Sequence, residues 1–455
     1  MTSPARDAAP VGCEAPSVRA GAFRIPPRLA SGLGGAAVAV PALASAWFVW
    51  AHAVDVPFWD EWSCLAPLLG WLDGHLTLRA LFAQHNEHRF AAPQLLLLLL
   101  DRATALDTRA RMAASWLLLA ATGGLLFIDS RQSHPKGAPT LLAFAPVAWI
   151  VLSWRQWENL LWGLQITLCC CVFFLVAALT ALARARSPAA LLLAVSCGAC
   201  ASFSFATGLL IWPLGLLVLL AARPRLPPRA PVIWALCGAA VLAFYFTDYV
   251  KPAHHPALNE LALHPGPGLR FFIASLGSPL AERLLPALWA GWFVVGMSAT
   301  VAALVLRGRL RWRSPVPPAL VLFALSSSAV LTLGRAGFGP GQGLSSRYST
   351  FTGLGLVGLY LLLLDGSTRL TRTLAGLLLA VIAAAQPSLD RASLIQAGRL
   401  ASVRRQARAS LLHFRDASDA SLLPLYPAPA ELRAWASVLE SHRLSVFRDE
   451  PRPAP

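Results

Sequence analysis

Two adjacent carboxylates, Asp60 and Glu61, lie among aromatic residues in the segment 56–62, directly after a long apolar run. A carboxylate in a partly dry aromatic environment can have its pKa raised, and it can then serve as a general base. Asp60 and Glu61 are therefore the candidate catalytic residues. The alternative is a solvated loop whose tryptophans only anchor it at a membrane interface.

The second polar cluster is the sequence His-Asn-Glu-His-Arg that begins at His85. If this run is helical, His85, His88 and Arg89 share one face. The two histidines together with Asp60 could hold a divalent cation such as Mg²⁺ or Mn²⁺, although a His-x-x-His spacing alone is a weak metal motif. His85, Glu87 and His88 could instead bind a polar substrate or form a structural network, and the sequence leaves these alternatives open.

The third cluster mixes tryptophans with amide and carboxylate groups, and its candidate substrate-binding residues are Trp157, Glu158, Asn159 and Gln165. Aromatic rings can stack on sugar faces, while amides and carboxylates hydrogen-bond sugar hydroxyls. The composition therefore suits a carbohydrate site, and it suits an aromatic belt at a membrane interface equally well. A fourth cluster, residues 202–208, is better explained as small polar residues in a close turn.

The fifth cluster is a glycine-rich segment, residues 334–343, with Arg335 inside it and Arg347 and Tyr348 soon after. It is not a Walker A motif, because no Gly-Lys-Ser/Thr occurs, and it lacks the strand–helix context of a dinucleotide-binding loop. Guanidinium groups beside flexible backbone amides suit a phosphate. A flexible loop without a ligand is the alternative.

The composition shows what kind of molecule must position these clusters. The chain has 455 residues, of which 56% are hydrophobic and only 13% charged, with a mean hydropathy of +0.58. A soluble protein carries about twice that charged fraction. Apolar runs long enough to cross a bilayer recur along the chain. A soluble enzyme, a fibrous protein and a disordered chain are therefore excluded, and an all-α polytopic membrane protein is predicted.

About eleven spans are predicted, the first at residues 31–53 after a leader of 1–30 that we interpret as cytoplasmic and uncleaved. The other ten centre near positions 120, 146, 170, 197, 215, 240, 296, 325, 357 and 380. Together they form a transmembrane domain over residues 31–387, with a first outer loop at 54–110. The leucine run after Gln94 is only half a span long, so an interfacial or re-entrant amphipathic helix is expected there.

The charge distribution predicts the orientation. With the N-terminus inside, the inner segments hold 17 basic and 4 acidic residues, whereas the outer segments before residue 388 hold 11 of each. Cytoplasmic loops are enriched in Lys and Arg, so this bias explains the net charge of +16 through anionic lipid and without nucleic acid. The C-terminal segment 388–455 is then extracytoplasmic. Its two helical stretches, 393–415 and 428–446, are expected to cap the outer face; a loosely ordered tail is the alternative.

All five clusters fall at the predicted outer boundary of the membrane, and the spans themselves are nearly free of polar groups. A transporter is expected to carry polar groups at mid-membrane. Chemistry or binding at the outer boundary is therefore the more economical interpretation.

This pattern resembles the GT-C superfamily of integral membrane glycosyltransferases, which includes protein O-mannosyltransferases, the lipid A aminoarabinose transferase and oligosaccharyltransferase catalytic subunits. The shared features are a cytoplasmic N-terminus, eleven to thirteen spans, amphipathic helices in the first outer loop and an acidic residue just after the first span. The sequence Phe58-Trp59-Asp60-Glu61-Trp62 stands in that position. The chain is also similar to uncharacterised bacterial membrane proteins that carry comparable Trp-Asp, His-Asn-Glu-His-Arg and late Ser-Arg-Tyr patterns.

The resemblance implies an inverting sugar transfer from a polyprenyl-phosphate donor to a glycan, lipid or protein acceptor outside a bacterial inner membrane. In that scheme Asp60 or Glu61 is the base, and Arg335, Arg347 and Arg89 bind the donor phosphate. The residues expected to contact substrate are His85, Glu87, His88, Trp157, Glu158, Asn159, Gln165 and Tyr348. Two alternatives remain: a transporter or flippase for lipid-linked glycans, and a non-catalytic partner in envelope polysaccharide assembly.

Overall fold

The computed structural model describes residues 27–134, 140–185, 187–221, 229–253, 256, 263 and 265–449. Most of the predicted leader therefore lies outside the described residues. Within the described part of the chain the fold is helical, and its one sheet is a two-stranded hairpin of β1 (Gln84–His85) and β2 (His88–Arg89). This is the all-α architecture that the composition predicted.

Eighteen α-helices are described, connected in several places by single turns of 3₁₀-helix. They are α1 (Pro27–His52), α2 (Ala66–Leu72), α3 (Leu78–Leu81), α4 (Ala91–Thr104), α5 (Thr108–Ser133), α6 (Leu141–Val151), α7 (Trp157–Leu161), α8 (Ile166–Ala183), α9 (Pro188–Ser202), α10 (Ile211–Ala221), α11 (Arg229–Phe246), α12 (Pro265–Gly277), α13 (Leu284–Leu306), α14 (Val316–Arg335), α15 (Ser349–Asp365), α16 (Arg369–Leu412), α17 (Asp419–Leu422) and α18 (Pro429–Ser441).

Seven of the described helices are long and apolar enough to cross a membrane, so this is an integral membrane protein by helix length and composition. Three predicted spans, near 197, 215 and 357, correspond to shorter apolar helices, and the one near 146 corresponds to the eleven-residue α6. The predicted count of eleven spans is therefore not confirmed. The seven helices lie within Gly32–His52, Thr108–Ser133, Gly163–Ala183, Arg229–Phe246, Leu284–Leu306, Val316–Phe338 and Arg369–Leu412.

Glycines allow the bundle helices to pack closely. A Cβ atom on Gly358 of α15 would stand 2.5 Å from the Pro317 carbonyl oxygen of α14. A Cβ on Gly291 of α13 would stand 1.9 Å from the Ile273 carbonyl oxygen of α12. Between lipid-embedded helices such close backbone approach replaces the hydrophobic driving force available in water. These two helix pairs therefore have a separation that only glycine permits.

The last long helix continues well beyond a bilayer. α16 has 44 residues, which corresponds to about 66 Å at 1.5 Å per residue, against about 30 Å for a hydrocarbon core. Pro387 lies inside it without ending it. The predicted domain boundary at 387/388 therefore falls within one continuous helix, and the predicted separate stretch 393–415 is its second half.

A second apolar core joins the C-terminal segment to the first loop. Apolar side chains of 54–106 pack against those of 401–447. Two arginines fasten this contact: Arg404 donates to the carbonyl oxygens of Val54 and Val56, and Arg448 pairs with Asp55 at 2.8 Å. The C-terminal segment thus buttresses the loop that carries Asp60.

Polar groups occur at both ends of the bundle. α5, α8 and α15 begin near the first loop and Arg347, and at their far ends Asp129 pairs with Arg184 and His134 pairs with Asp365, each at 2.6 Å. These ion pairs tie together helix ends far from the polar clusters described above.

Candidate functional site

The two candidate carboxylates sit on a single 3₁₀ turn, Trp59–Glu61, and face different environments. The side chain of Asp60 is 41% exposed, whereas Glu61 is completely buried. Trp59 has a left-handed φ of 50°, a conformation that costs free energy for a non-glycine residue. The Trp59 amide donates to the Leu425 carbonyl oxygen at 2.7 Å, so the C-terminal segment holds this strained turn in place.

Glu61 belongs to a buried charge network. Its Oε2 accepts from the Phe58 amide at 2.9 Å, and its Oε1 lies 3.3 Å from Nη1 of Arg111. Arg111 also forms a bidentate pair with Asp101, at 2.7 and 2.6 Å. Burial raises the pKa of Glu61, and the Arg111 guanidinium opposes that shift. A substrate hydroxyl cannot reach this carboxylate, so Asp60 is the one of the two that can act as a base.

The His85 ring lies next to the Asp60 carboxylate, and the Cys64 thiol lies on the far side of that ring. The His85 Nε2 atom is buried without a hydrogen-bond partner among the described residues, and it lies 3.8 Å from Oδ2 of Asp60. On the other side of the ring Nδ1 lies 3.9 Å from Sγ of Cys64. Burial alone would lower the pKa of His85, but the Asp60 carboxylate and Cys64 outweigh it and raise that pKa to about 10. The imidazolium thus partly neutralises Asp60 at neutral pH.

Replacing His85 with glutamine is expected to destabilise the protein by about 1 kcal/mol below pH 6.5, the order of a partly exposed ion pair. Because the folded-state pKa of His85 is raised above the unfolded value of 6.5, the protonated ring stabilises the fold below 6.5. That contribution is lost as the pH approaches 10. Thermal unfolding in detergent should show a difference from wild type that shrinks between pH 6 and 10. The exposed His75→Gln is the control, and a difference independent of pH would contradict the pairing.

Residues 84–89 form a hairpin and not the helix considered from the sequence. Asn86, with a φ of 49°, makes the turn, and His85 pairs with His88 across it. The common helical face that a helix would have formed is therefore absent. A run this short has too little periodicity to distinguish a helix from a strand. His85 and His88 instead flank Phe90, with ring centroids 5.5 and 5.6 Å away.

Arg89 and His88 are engaged in holding this hairpin. Arg89 donates to three backbone carbonyl oxygens, those of Phe82, Tyr245 and Thr247. His88 Nδ1 accepts from the Ala206 amide at 3.1 Å, and its ring stacks on Phe205 with centroids 3.8 Å apart. All three guanidinium nitrogens of Arg89 thus donate to backbone carbonyl oxygens, so Arg89 holds the hairpin and is not arranged as the predicted phosphate ligand. The contacts of His88 with Ala206 and Phe205 also join the fourth cluster to the second.

The hairpin meets the glycine-rich segment through an ion pair between Glu87 and Arg335. Burial would raise the pKa of Glu87, but His88 and Arg335 outweigh it and lower that pKa to about 2. The Arg335 guanidinium also lies over the Tyr348 ring, 6.0 Å from its centroid, and interacts electrostatically with Asp60. Arg335 therefore links the second and fifth clusters to the carboxylate of the first.

Arg347 also lies close to the Tyr348 ring. Its guanidinium is 5.9 Å from the Tyr348 centroid and 5.6 Å from that of Trp162. Its Nε atom contacts Ser345 at 3.2 Å and Glu158 at 3.5 Å, and neither Nη group hydrogen-bonds to another residue in the described part of the chain. These two Nη groups are available to an anion.

The third cluster supports this arginine more than it lines an open site. Glu158 accepts from Ser346 Oγ at 2.6 Å, and the completely buried Asn159 donates to the Arg347 carbonyl oxygen and to Thr350. Gln165 is buried as well, and Trp157 packs against the apolar core. Of the four residues of this cluster that were predicted to bind substrate, Glu158 is the one whose side chain contacts the Arg347 side chain.

Trp162 completes the connection to Asp60. Its Nε1 donates to the Phe58 carbonyl oxygen at 3.1 Å, and the two rings meet edge to face with centroids 5.7 Å apart. Phe58 in turn lies under the buried guanidinium of Arg404. All five sequence clusters therefore converge at one end of the helix bundle, around Tyr348. We call this the Asp60–Arg347 site.

Sequence reasoning missed two groups that position this site. Arg111, the partner of Glu61, lies at the start of a predicted span, and Arg404 occurs in an arginine-rich stretch where nothing distinguishes it. Arg404 is buried and donates to the Leu161 carbonyl oxygen as well as to Val54 and Val56. The sequence marks these two arginines only by their position near apolar helices. A charged side chain there needs a buried partner.

The predicted metal set does not assemble in the described residues, where no group of three His, Cys, Asp or Glu side chains is arranged to hold a metal ion. Asp60 and His85 are neighbours, but both nitrogens of His88 face other groups: Ala206 N and, at 3.4 Å, Glu87.

No protein-family model matches this chain, and neither a curated protein nor a solved structure is detectably similar to it.

Proposed function

We propose that this protein is a membrane glycosyltransferase of GT-C type that transfers a sugar, with inversion, from a polyprenyl-phosphate donor to an extracytoplasmic glycan, lipid or protein. The observation that carries the proposal is the Asp60–Arg347 site. It combines a half-exposed carboxylate with an arginine whose Nη groups are unused, at one end of an apolar helical bundle. Deprotonation of the acceptor needs the carboxylate, and departure of the phosphate needs the arginine.

Asp60 is the proposed general base. An acceptor hydroxyl that attacks the anomeric carbon must lose its proton, and a positioned carboxylate takes it. The accessibility of Asp60 supports this role, and the rigid 3₁₀ turn and the Trp59–Leu425 hydrogen bond fix its position. The His85 imidazolium partly neutralises the Asp60 carboxylate, and it therefore limits the repulsion between Asp60 and an incoming phosphate.

Arg347 is the proposed ligand of the leaving phosphate, with Arg335 as a second cation. A guanidinium whose two Nη groups have no hydrogen-bond partner in the described part of the chain matches two phosphate oxygens, and it stabilises the charge that develops as the bond between sugar and phosphate breaks. Arg335 is already paired with Glu87, so its contribution is a longer-range field. Trp162 and Tyr348 are buried, and their rings lie beside the Arg347 guanidinium, so they support its position.

The location proposed for this chemistry is the outer face of a bacterial inner membrane, with the N-terminus cytoplasmic and the C-terminal segment outside. The bias of basic residues supports that orientation. A polyprenyl-phosphate lies in the bilayer with its phosphate at headgroup level, and Arg335 and Ser349 are at the ends of apolar helices, which supports a site at that level. A bound Mg²⁺ or Mn²⁺ is not needed in this scheme.

The transporter alternative has weaker support. A carrier needs polar groups along the path between its two ends. In the described part of the chain the core between the Asp60–Arg347 site and the far ion pairs of Asp129 and Asp365 consists of apolar side chains with scattered buried serines and threonines. A site confined to one end favours chemistry there over passage.

Donor binding tests the proposal. Purified protein in detergent should bind a short-chain polyprenyl-phosphate sugar, and Arg347→Gln should weaken binding by about 10- to 100-fold, as expected for a charge-assisted bidentate contact. Asp60→Asn should bind the donor about as well as wild type, because the base contacts the acceptor. Arg309→Gln, an exposed arginine at the other end of the bundle, is the control. Equal binding by wild type and Arg347→Gln would refute the phosphate role.

A further inference from the structure

Trp59 places an exposed aromatic ring directly before the proposed base in the chain. It is 45% exposed, whereas Trp62 at the end of the same turn is completely buried. The aromatic residues beside Arg347, which are Trp162 and Tyr348, are buried as well. The accessible face of a large aromatic ring can stack on the apolar face of a sugar. Of these four aromatic residues, Trp59 is therefore the one that a ligand can reach.

The backbone of Trp59 is strained. Its φ of 50° lies in the left-handed region, which costs free energy for a residue with a Cβ atom and which glycine adopts freely. The hydrogen bond from the Trp59 amide to the Leu425 carbonyl oxygen, at 2.7 Å, holds the residue in this conformation. Strain of this kind is concentrated at active sites and ligand contacts, where the surrounding structure maintains it. The strain at Trp59 therefore marks the position of its ring as a candidate ligand contact.

The C-terminal segment brings a second aromatic residue near the base. Tyr426 directly follows Leu425, and its hydroxyl donates to Oε2 of Glu431 at 3.4 Å. Burial raises the pKa of Tyr426, and the carboxylates of Glu431 and Asp60 raise it further, so the phenol lies within electrostatic range of Asp60. Tyr426 is partly exposed and Glu431 is exposed. Both side chains are therefore accessible from solvent.

The charges of this region favour one kind of ligand. Asp60 and Glu431 are both carboxylates, so an acidic sugar or a phosphorylated one would meet like charge here. The hydroxyls of a neutral sugar can instead donate hydrogen bonds to the carboxylates, and they can pair with the Tyr426 hydroxyl. An aromatic ring next to hydrogen-bonding groups and without a cation suits a neutral sugar.

We propose that the acceptor is a neutral glycan, one ring of which stacks on Trp59 while its hydroxyls hydrogen-bond to Tyr426 and Glu431. We call these three residues the acceptor subsite. The inference rests on the proposed function, because it selects the glycan among the acceptor classes. In the transfer, an acceptor hydroxyl gives its proton to Asp60 and its oxygen bonds to the anomeric carbon. The bond from that carbon to the phosphate oxygen breaks, and its electron pair leaves with the phosphate.

Four variants test the subsite. Trp59→Ala removes the ring and keeps the strain, whereas Trp59→Gly removes both. Trp59→Gly should therefore unfold at a higher temperature than Trp59→Ala, and both should lose sugar binding to the same extent. Tyr426→Phe removes only the hydroxyl. The matched control is Trp71→Ala, because Trp71 is 39% exposed on α2 of the same loop.

The experiment is a titration of purified protein in lipid nanodiscs with oligosaccharides, without donor, followed by saturation-transfer difference NMR. The neutral probes are maltopentaose, cellopentaose and triacetylchitotriose, and the acidic comparison is tetragalacturonate. Wild type and Trp71→Ala should bind at least one neutral probe, and should bind it more tightly than tetragalacturonate. Trp59→Ala and Trp59→Gly should weaken that binding about tenfold or more, and Tyr426→Phe about two- to tenfold.

Contrary results would overturn the proposal in distinct ways. If wild type binds none of the neutral probes, or if both Trp59 variants bind them unchanged, the acceptor subsite is refuted and Trp59 is left as an anchor at the membrane surface. Tighter binding of tetragalacturonate would refute the neutral class.

A parallel donor titration separates this inference from the proposed function. Trp59→Gly should bind the short-chain polyprenyl-phosphate sugar as wild type does, because Trp59 contacts the acceptor. Failure of the sugar test with Arg347-dependent donor binding intact would overturn the acceptor class alone. Absence of donor binding in wild type would contradict the proposed function itself. If Trp59→Ala does not fold, Trp59→Gly decides.

Discussion

Asp60→Asn should lower sugar transfer by about 10²- to 10⁴-fold while donor binding is retained, the range expected when a general base is removed. Asparagine keeps the size of the side chain and cannot accept the acceptor proton. Because Asp60 is half-exposed and its side chain accepts no hydrogen bond from the described residues, the fold should tolerate the change. The measurement is release of polyprenyl phosphate from a labelled donor in membranes that contain the protein and supply the acceptor.

Two companion variants make this test specific. Asp60→Glu keeps a carboxylate and should recover part of the rate. Asp416→Asn removes an exposed carboxylate of the C-terminal segment and should have no effect. Full activity in Asp60→Asn, with the protein inserted and bound to donor, would rule out Asp60 as the base.

Arg111→Leu should destabilise the protein by about 3–5 kcal/mol, enough to prevent correct folding of many membrane proteins, because it leaves Glu61 and Asp101 buried without their counterion. The Glu61 carboxylate also holds the Phe58 amide, so the turn that presents Asp60 would lose its support. The measurement is the yield of folded protein after solubilisation, together with its thermal unfolding temperature.

A neighbouring arginine provides the matched control. Arg109 pairs with Asp107 at 2.7 Å on the same helix, but its side chain is 52% exposed. An exposed pair contributes about 0–1 kcal/mol, so Arg109→Leu should be nearly neutral. Replacing Glu61, Asp101 and Arg111 together with Gln, Asn and Met should recover much of the stability, since no buried charge is then left unpaired. Equal losses for Arg109→Leu and Arg111→Leu would contradict the buried network.

Which residues could be recognised from the sequence depended on how local their signal is. The aromatic setting of Asp60 and the pairing of arginine with glycine near Arg335 are visible in a few consecutive residues, and both lie at the site. The choice between Asp60 and Glu61 was not visible, because adjacent carboxylates have the same chemistry. The choice depends on Arg111, fifty residues later in the chain, because this arginine pairs with Glu61 in the protein interior.

Errors arose where long-range contacts outweigh local pattern. The run 84–89 has the spacing of a helix face, but Arg89 is drawn to carbonyls of Phe82, Tyr245 and Thr247, and the segment forms a hairpin. The end of the last span near Pro387 suggested a boundary. The helix continues through it, because its second half packs on the first loop through Ala401 and Ala407.

The sequence by itself determined that this protein is an all-helical membrane protein with its polar residues in a few short clusters. Composition suffices for that conclusion, because an apolar solvent forces the backbone to satisfy its own hydrogen bonds in helices. Only the tertiary structure decided which of these residues are accessible and which are structural. Accessibility depends on partners far along the chain, such as Arg111 for Glu61, the backbone carbonyls for Arg89 and the Nη groups left free on Arg347.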